Sequence, residues 1–80
     1  MFEKNCSDII KKLRHKKGWT QIKLADVIME RYGEDCYETI RRIEKGHGNP
    51  TMDKWALIIG ALNDKTFEEV GAFLESLHLE

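Results

Sequence analysis

The 80-residue chain has one proline, two cysteines, 9% aromatic residues and no long apolar run. Each scarcity excludes a class of protein. One proline and six glycines are too few for a low-complexity chain, and 41% hydrophobic residues are too many for disorder. No run approaches the ~18 apolar residues of a membrane span, and the N-terminus carries no signal-peptide apolar region. Cys6 and Cys36 form no Cys-x-x-Cys pair and cannot staple a secreted mini-protein. The expectation is a cytoplasmic chain with reduced thiols and no membrane partner. The length allows one domain, residues 1–80, near the size at which a single core only just suffices.

An excess of charge of one sign is also missing. Thirteen Lys and Arg stand against fourteen Asp and Glu, a net charge of −1, where a nucleic-acid partner usually wants a basic domain. The balance is uneven along the chain. Residues 1–50 hold eleven basic and eight acidic residues, net +3, while residues 51–80 hold two and six, net −4. A chain so divided can present one basic face that its total charge hides.

Caps, turns and apolar spacing predict five short helices and no strand, an all-α bundle. The first helix is expected over Cys6–Lys17, capped by Asn5 and stopped at Gly18, with Cys6, Ile9, Ile10 and Leu13 inward. Thr20 should cap a second helix that ends at Gly33. Trp19 and Leu24 are placed as a hydrophobic staple, and Leu24, Ala25, Val27 and Ile28 form the inner face. Asp35 and Glu38 have capping-box spacing before a third helix, Cys36–Lys45, with Cys36, Ile40 and Ile43 inward and Gly46 at its end. Thr51 should cap a fourth helix running to about Leu62, with Met52, Trp55, Ala56, Ile59 and Leu62 inward. Thr66 and Glu69 form a second capping box, opening a fifth helix with Phe67, Val70, Leu74 and Leu77 inward.

A short helix with an apolar inner face and a polar outer face, beside a basic segment, has the shape that major-groove insertion requires. Helices two and three provide it, although many amphipathic surface helices share the pattern. Gln21 opens helix two, where free backbone N–H groups and the helix dipole favour an anion such as a phosphate. Gly46 ends helix three and would let loop N–H groups face a second phosphate.

Specific residues carry the case further. Leu13-Arg14, Gly18-Trp19-Thr20-Gln21, Leu24-Ala25, Ile40, Ile43-Glu44-Lys45-Gly46, Asn49-Pro50-Thr51 and Ala61-Leu62-Asn63 fall at one family's intervals. From Leu13 to Asn63 the chain resembles the Cro/lambda-repressor-like (XRE-type) helix-turn-helix family. The resemblance implies a lambda-repressor-like fold with the helix-turn-helix at helices two and three, and double-stranded DNA as the partner. It also implies a structural ion pair between Arg14 and Glu44. Base-reading positions then fall on Tyr37, Glu38, Thr39 and Arg42, with Arg41 beside them. Either arginine could contact guanine bidentately, Glu38 could accept from cytosine N4, and Thr39 could touch a thymine methyl. Phosphate contacts would come from Gln21, Lys23, Lys17, Lys45, His47 and Asn49. One departure is the segment from Val27 to Asp35, several residues longer than the family's usual connection. It implies a longer second helix, with Met29 and Tyr32 continuing its apolar pattern, or a wider turn.

Other constellations are weaker. His15, His47 and His78 show no metal-ligand spacing. Cys36 fits an inner stripe better than a nucleophile paired with His47, and nothing orients a general base. No enzymatic activity, metal or cofactor is expected. Trp19 and Trp55 read as core anchors. Phe67, Val70, Phe73, Leu74 and Leu77 exceed one narrow stripe; helix five either closes a very small core or, the expectation preferred, adds a homodimer contact, as suits paired half-sites. The sequence therefore reads as a transcriptional repressor. The alternative is a protein-interaction module, such as the antitoxin of a toxin–antitoxin pair.

Overall fold

The computed structural model describes the backbone of residues 2–48 and 50–79, and the side chains of residues 6–48, 50–73 and 75. Five helices follow in order: α1 (Phe2–Lys17), α2 (Gln21–Tyr32), α3 (Tyr37–Glu44), α4 (Met52–Leu62) and α5 (Phe67–Leu79). Among the described residues there is no strand, and no helix is long and apolar enough to cross a membrane. Helix α1 packs on α3 and α4, α2 packs on α3 and α4, and α5 packs on α4.

α1 starts at Phe2, so Asn5 lies inside the helix and does not cap it. Nothing in Phe-Glu-Lys-Asn breaks a helix. Arg14, His15, Lys16 and Lys17 fill its last turn, where the dipole favours positive charge. The Gly18 and Trp19 N–H groups then donate back to the His15 and Arg14 carbonyls, both at 3.0 Å. Cys6 and Ile10 are buried and Leu13 packs beside them, but Ile9 is 41% exposed. Ser7 takes the inward place on that side, donating its hydroxyl to the Glu44 carbonyl at 3.1 Å.

α2 begins as expected, with the Thr20 hydroxyl accepting from the Lys23 N–H at 3.0 Å. It ends where Gly33 donates to the Met29 carbonyl at 2.9 Å. Leu24, Ala25, Val27 and Ile28 are all buried. Of the two residues expected to prolong that pattern, Tyr32 is buried and Met29 is exposed. The Tyr32 hydroxyl donates to the Lys65 carbonyl at 2.7 Å, tying the end of α2 to the turn after α4.

The expected Asp35–Glu38 capping box does not form. Cys36 is wholly buried and serves as the N-cap of α3 without a side-chain hydrogen bond. With the helix opening at Tyr37, Glu38 lies one position short of the site from which it could reach back. Asp35 instead accepts from the Tyr37 N–H at 3.2 Å, and Glu38 turns to Arg41 at 3.3 Å. The helical residues are therefore Tyr37–Glu44, shorter than Cys36–Lys45.

α4 is apolar on almost every side and lies at the centre, with Ala56, Leu57, Ile58, Gly60, Ala61 and Leu62 buried. Trp19, Trp55 and Ile59 pack on this core while partly exposed. Met52, expected inside, is 55% exposed because it stands in the first turn, beyond the core's edge. The Thr51 hydroxyl accepts from the Lys54 N–H at 3.2 Å, as a cap should. At the other end Asp64 takes the left-handed position, φ 58°, that a glycine more often fills.

The second capping box is present. The Thr66 N–H donates to Glu69 at 2.9 Å, and the Glu69 N–H donates to the Thr66 hydroxyl at 3.1 Å. Val70 faces inward, but Phe67 is 63% exposed, its ring beside that of Tyr32 with centroids 6.4 Å apart. It shares the face of Val70 at i, i+3 spacing, but as the first residue of α5 it stands beyond the core's edge. The Leu74 and Leu77 side chains lie outside the described residues.

Candidate nucleic-acid interface

α3 owes its fixed position to buried contacts on its inner side. Ile40 and Ile43 enter the core, and Glu44 anchors the C-terminal end. Arg14 grips the Glu44 carboxylate through Nε at 2.8 Å and Nη2 at 2.9 Å, and its Nη1 donates to the Trp19 carbonyl at 2.9 Å. The Gln21 amide donates to the same carboxylate at 3.1 Å. Burial alone would push the Glu44 carboxyl up, but hydrogen bonds from Arg14 and Gln21 and the charges of Arg14 and Lys11 hold it below its ordinary value. The start of α2, the end of α1 and the end of α3 thus meet at one carboxylate. The Arg14–Glu44 pair is present as expected. The Gln21 amide nitrogen, expected on a phosphate, is engaged with Glu44.

The outward residues of α3 fall into two groups. Tyr37, Glu38 and Arg41 form a closed set, with Arg41 paired to Glu38 and its guanidinium 5.6 Å from the centre of the Tyr37 ring. Arg41 is therefore partly occupied within its own helix. Thr39 and Arg42 face the other way and line a groove of about 380 Å³ with His47, Thr51 and Lys54. Arg42 is exposed and has no ion-pair partner among the described residues.

The expected phosphate contacts are scattered. Lys23 is exposed at the start of α2, and Lys45 and His47 are exposed beyond the end of α3. Lys17 is drawn towards the turn between α4 and α5. Its ammonium pairs with Asp64 at 2.9 Å and lies 4.8 Å from the Trp19 ring centre. Asn49 lies outside the described residues. Two of the loop N–H groups expected to face a phosphate are spent on the helix end, Gly46 donating to the Ile43 carbonyl at 3.0 Å and His47 to the Arg42 carbonyl at 2.9 Å. Gly46, at φ 78°, makes that closure possible.

Sequence reasoning missed Thr51 and Lys54. Both sit in the first turn of a helix read as core, and their available signal was position directly after the Gly46–Pro50 loop. Among the described residues, no group of three or more His, Cys, Asp or Glu is placed to hold a metal ion. No family model matches the chain, and neither a curated protein nor a solved structure matches it.

Proposed function

We propose that this chain is a sequence-specific double-stranded DNA-binding transcriptional regulator with a lambda-repressor-like helix-turn-helix at α2 and α3. It acts in the cytoplasm as a repressor, by occupying its operator. Helix α3 enters the major groove with its outer face on the base edges. One observation carries this reading: Arg42 stands exposed, with no ion-pair partner among the described residues, on a short helix whose inner side is locked through Ile40, Ile43 and Glu44. A rigid scaffold beneath a free guanidinium is what bidentate guanine readout needs. Lys23, Lys45 and His47 then set register on the backbone without choosing sequence. A homodimer formed through α5 would present two such helices to paired half-sites.

The test is a mobility-shift series against duplexes selected from a random pool, run over a range of salt. Binding should weaken steeply with salt and favour the selected sequence over random duplex. Arg42→Ala should abolish that preference while leaving residual non-specific binding. Equal binding to all duplexes by the wild-type chain would overturn the reading.

A second reading has its own observation. An apolar groove of about 310 Å³ runs between α4 and α5, lined by Trp55, Ile59, Val70 and Phe73. It favours a protein-interaction module, such as an antitoxin, in which DNA binding is secondary or absent. An Arg42→Ala chain that retains its full cellular effect would favour this reading over the first.

A further inference from the structure

The groove between α3 and the first turn of α4 holds basic and hydroxyl side chains on both of its walls. Thr39, Arg42 and His47 face Thr51 and Lys54, and no described lining residue is a carboxylate. Arg14, Lys17, Arg31 and Arg41, which lie outside the groove, are each paired with an acid. Lys54 is the exception within the groove, for its ammonium also meets Glu34 at 3.3 Å. Glu34 reaches it from the segment between α2 and α3 and does not line the groove. The positive end of the α4 dipole opens beside the groove, and Asp53 of the same turn is not part of its lining.

We infer that this groove seats one backbone phosphate of a DNA duplex, and that Lys54 supplies its charge by exchanging Glu34 for the phosphate. The inference rests on the DNA-binding reading and adds a contact residue to it. A phosphodiester offers two non-bridging oxygens that share one negative charge. A flexible ammonium and nearby hydroxyls can satisfy both while Arg42 reaches on to a base edge. The exchange is easy because an exposed ion pair is weak. Glu34 therefore keeps Lys54 neutralised in the free protein and lowers its affinity for any duplex.

Lys54→Gln should reduce affinity about fivefold on selected and random duplexes alike, with sequence preference unchanged. The slope of log K against log salt should become shallower by about 0.9. Lys54→Arg should restore that slope, and Glu34→Gln should raise affinity about twofold. Thermal unfolding of each variant at its wild-type temperature establishes that the fold is intact. Inorganic phosphate titrated into labelled wild-type protein should shift the Gly48, Thr51 and Lys54 amides saturably, and leave them unmoved in Lys54→Gln. Duplex binding with an unchanged slope in Lys54→Gln overturns this inference alone. Failure of the wild-type chain to bind any duplex overturns the DNA-binding reading and the inference with it.

Discussion

Arg14 and Glu44, thirty positions apart in sequence, meet in a two-pronged ion pair at 2.8 and 2.9 Å with side chains only 11% and 5% exposed. The pair is shielded from solvent, and each partner satisfies the other's charge. Removing one leaves the other buried and uncompensated. Arg14→Ala should therefore destabilise the fold by about 3 kcal/mol, a large share of the ~5–15 kcal/mol typical of a whole domain. Urea unfolding followed by circular dichroism measures it. A loss below about 0.5 kcal/mol would show that the pair contributes no more than a surface bridge.

The same pair governs acid stability. Glu44 titrates below its ordinary value of 4.5 in the folded chain, so the unfolded chain takes up its proton first as pH falls. Its contribution is fully present above about pH 4.5 and is lost as pH drops through the lower, folded value. Asp64, held down by Lys17 and Arg31, and Glu69, held down by the Thr66 N–H, act in the same direction. Stability measured from pH 6 to pH 3 should decline for the wild type, and the decline should be shallower in Glu44→Gln.

Gly60 marks a close approach between α4 and α5. A Cβ there would lie 2.6 Å from Val70 Cγ2 and 3.1 Å from the Tyr32 hydroxyl oxygen. Val70 is buried and β-branched, and the Tyr32 hydroxyl is already bound to the Lys65 carbonyl, so neither yields readily. Alanine would gain roughly 1 kcal/mol of helix propensity, but overpacking costs up to about 3 kcal/mol. Gly60→Ala should destabilise by a net of about 1–2 kcal/mol, read from the urea midpoint. A more stable variant would mean that α5 moves aside at no cost.

Thr20 holds the start of α2 through its hydroxyl and the Lys23 N–H. Thr20→Ala should cost about 1 kcal/mol, whereas Thr20→Ser and Thr20→Asp should retain most of the wild-type stability. Thermal midpoints of the three variants provide the comparison.

Both thiols are buried, and that burial pushes Cys6 and Cys36 above their ordinary value of 9.0. They should react with a thiol reagent at pH 8 only as fast as the chain opens, and at full speed in denaturant. Rapid labelling of Cys36 in the folded protein would show that the cap of α3 opens locally.

Local chemistry made much of this fold legible. Thr20, Thr51 and the Thr66–Glu69 box act through neighbours within one turn, so the sequence alone places them. The Leu24, Ala25, Val27 and Ile28 stripe follows equally from helical spacing. Met52 and Phe67, each the first residue of its helix, are apolar and correctly spaced but lie beyond the reach of the core, and apolar spacing does not say where a core stops. Ile9 lies mid-helix, and there Ser7 takes the inward place through its bond to the Glu44 carbonyl. The Asp35–Glu38 box failed because burial of Cys36 set the register of α3 by one position.

The sequence by itself determined five helices, the caps at Thr20, Thr51 and Thr66, and the basic character of the first fifty residues. Arg14 and Glu44 were marked as partners through the resemblance quoted for them. Only the tertiary structure decided which charges are available. Gln21, Lys17 and Arg41 find partners on other turns or helices, Arg42 finds no ion-pair partner among the described residues, and Lys54 arrives beside it from α4. The reason is physical: a cap or stripe depends on residues a few positions away, whereas an ion pair or a groove depends on where distant segments come to rest.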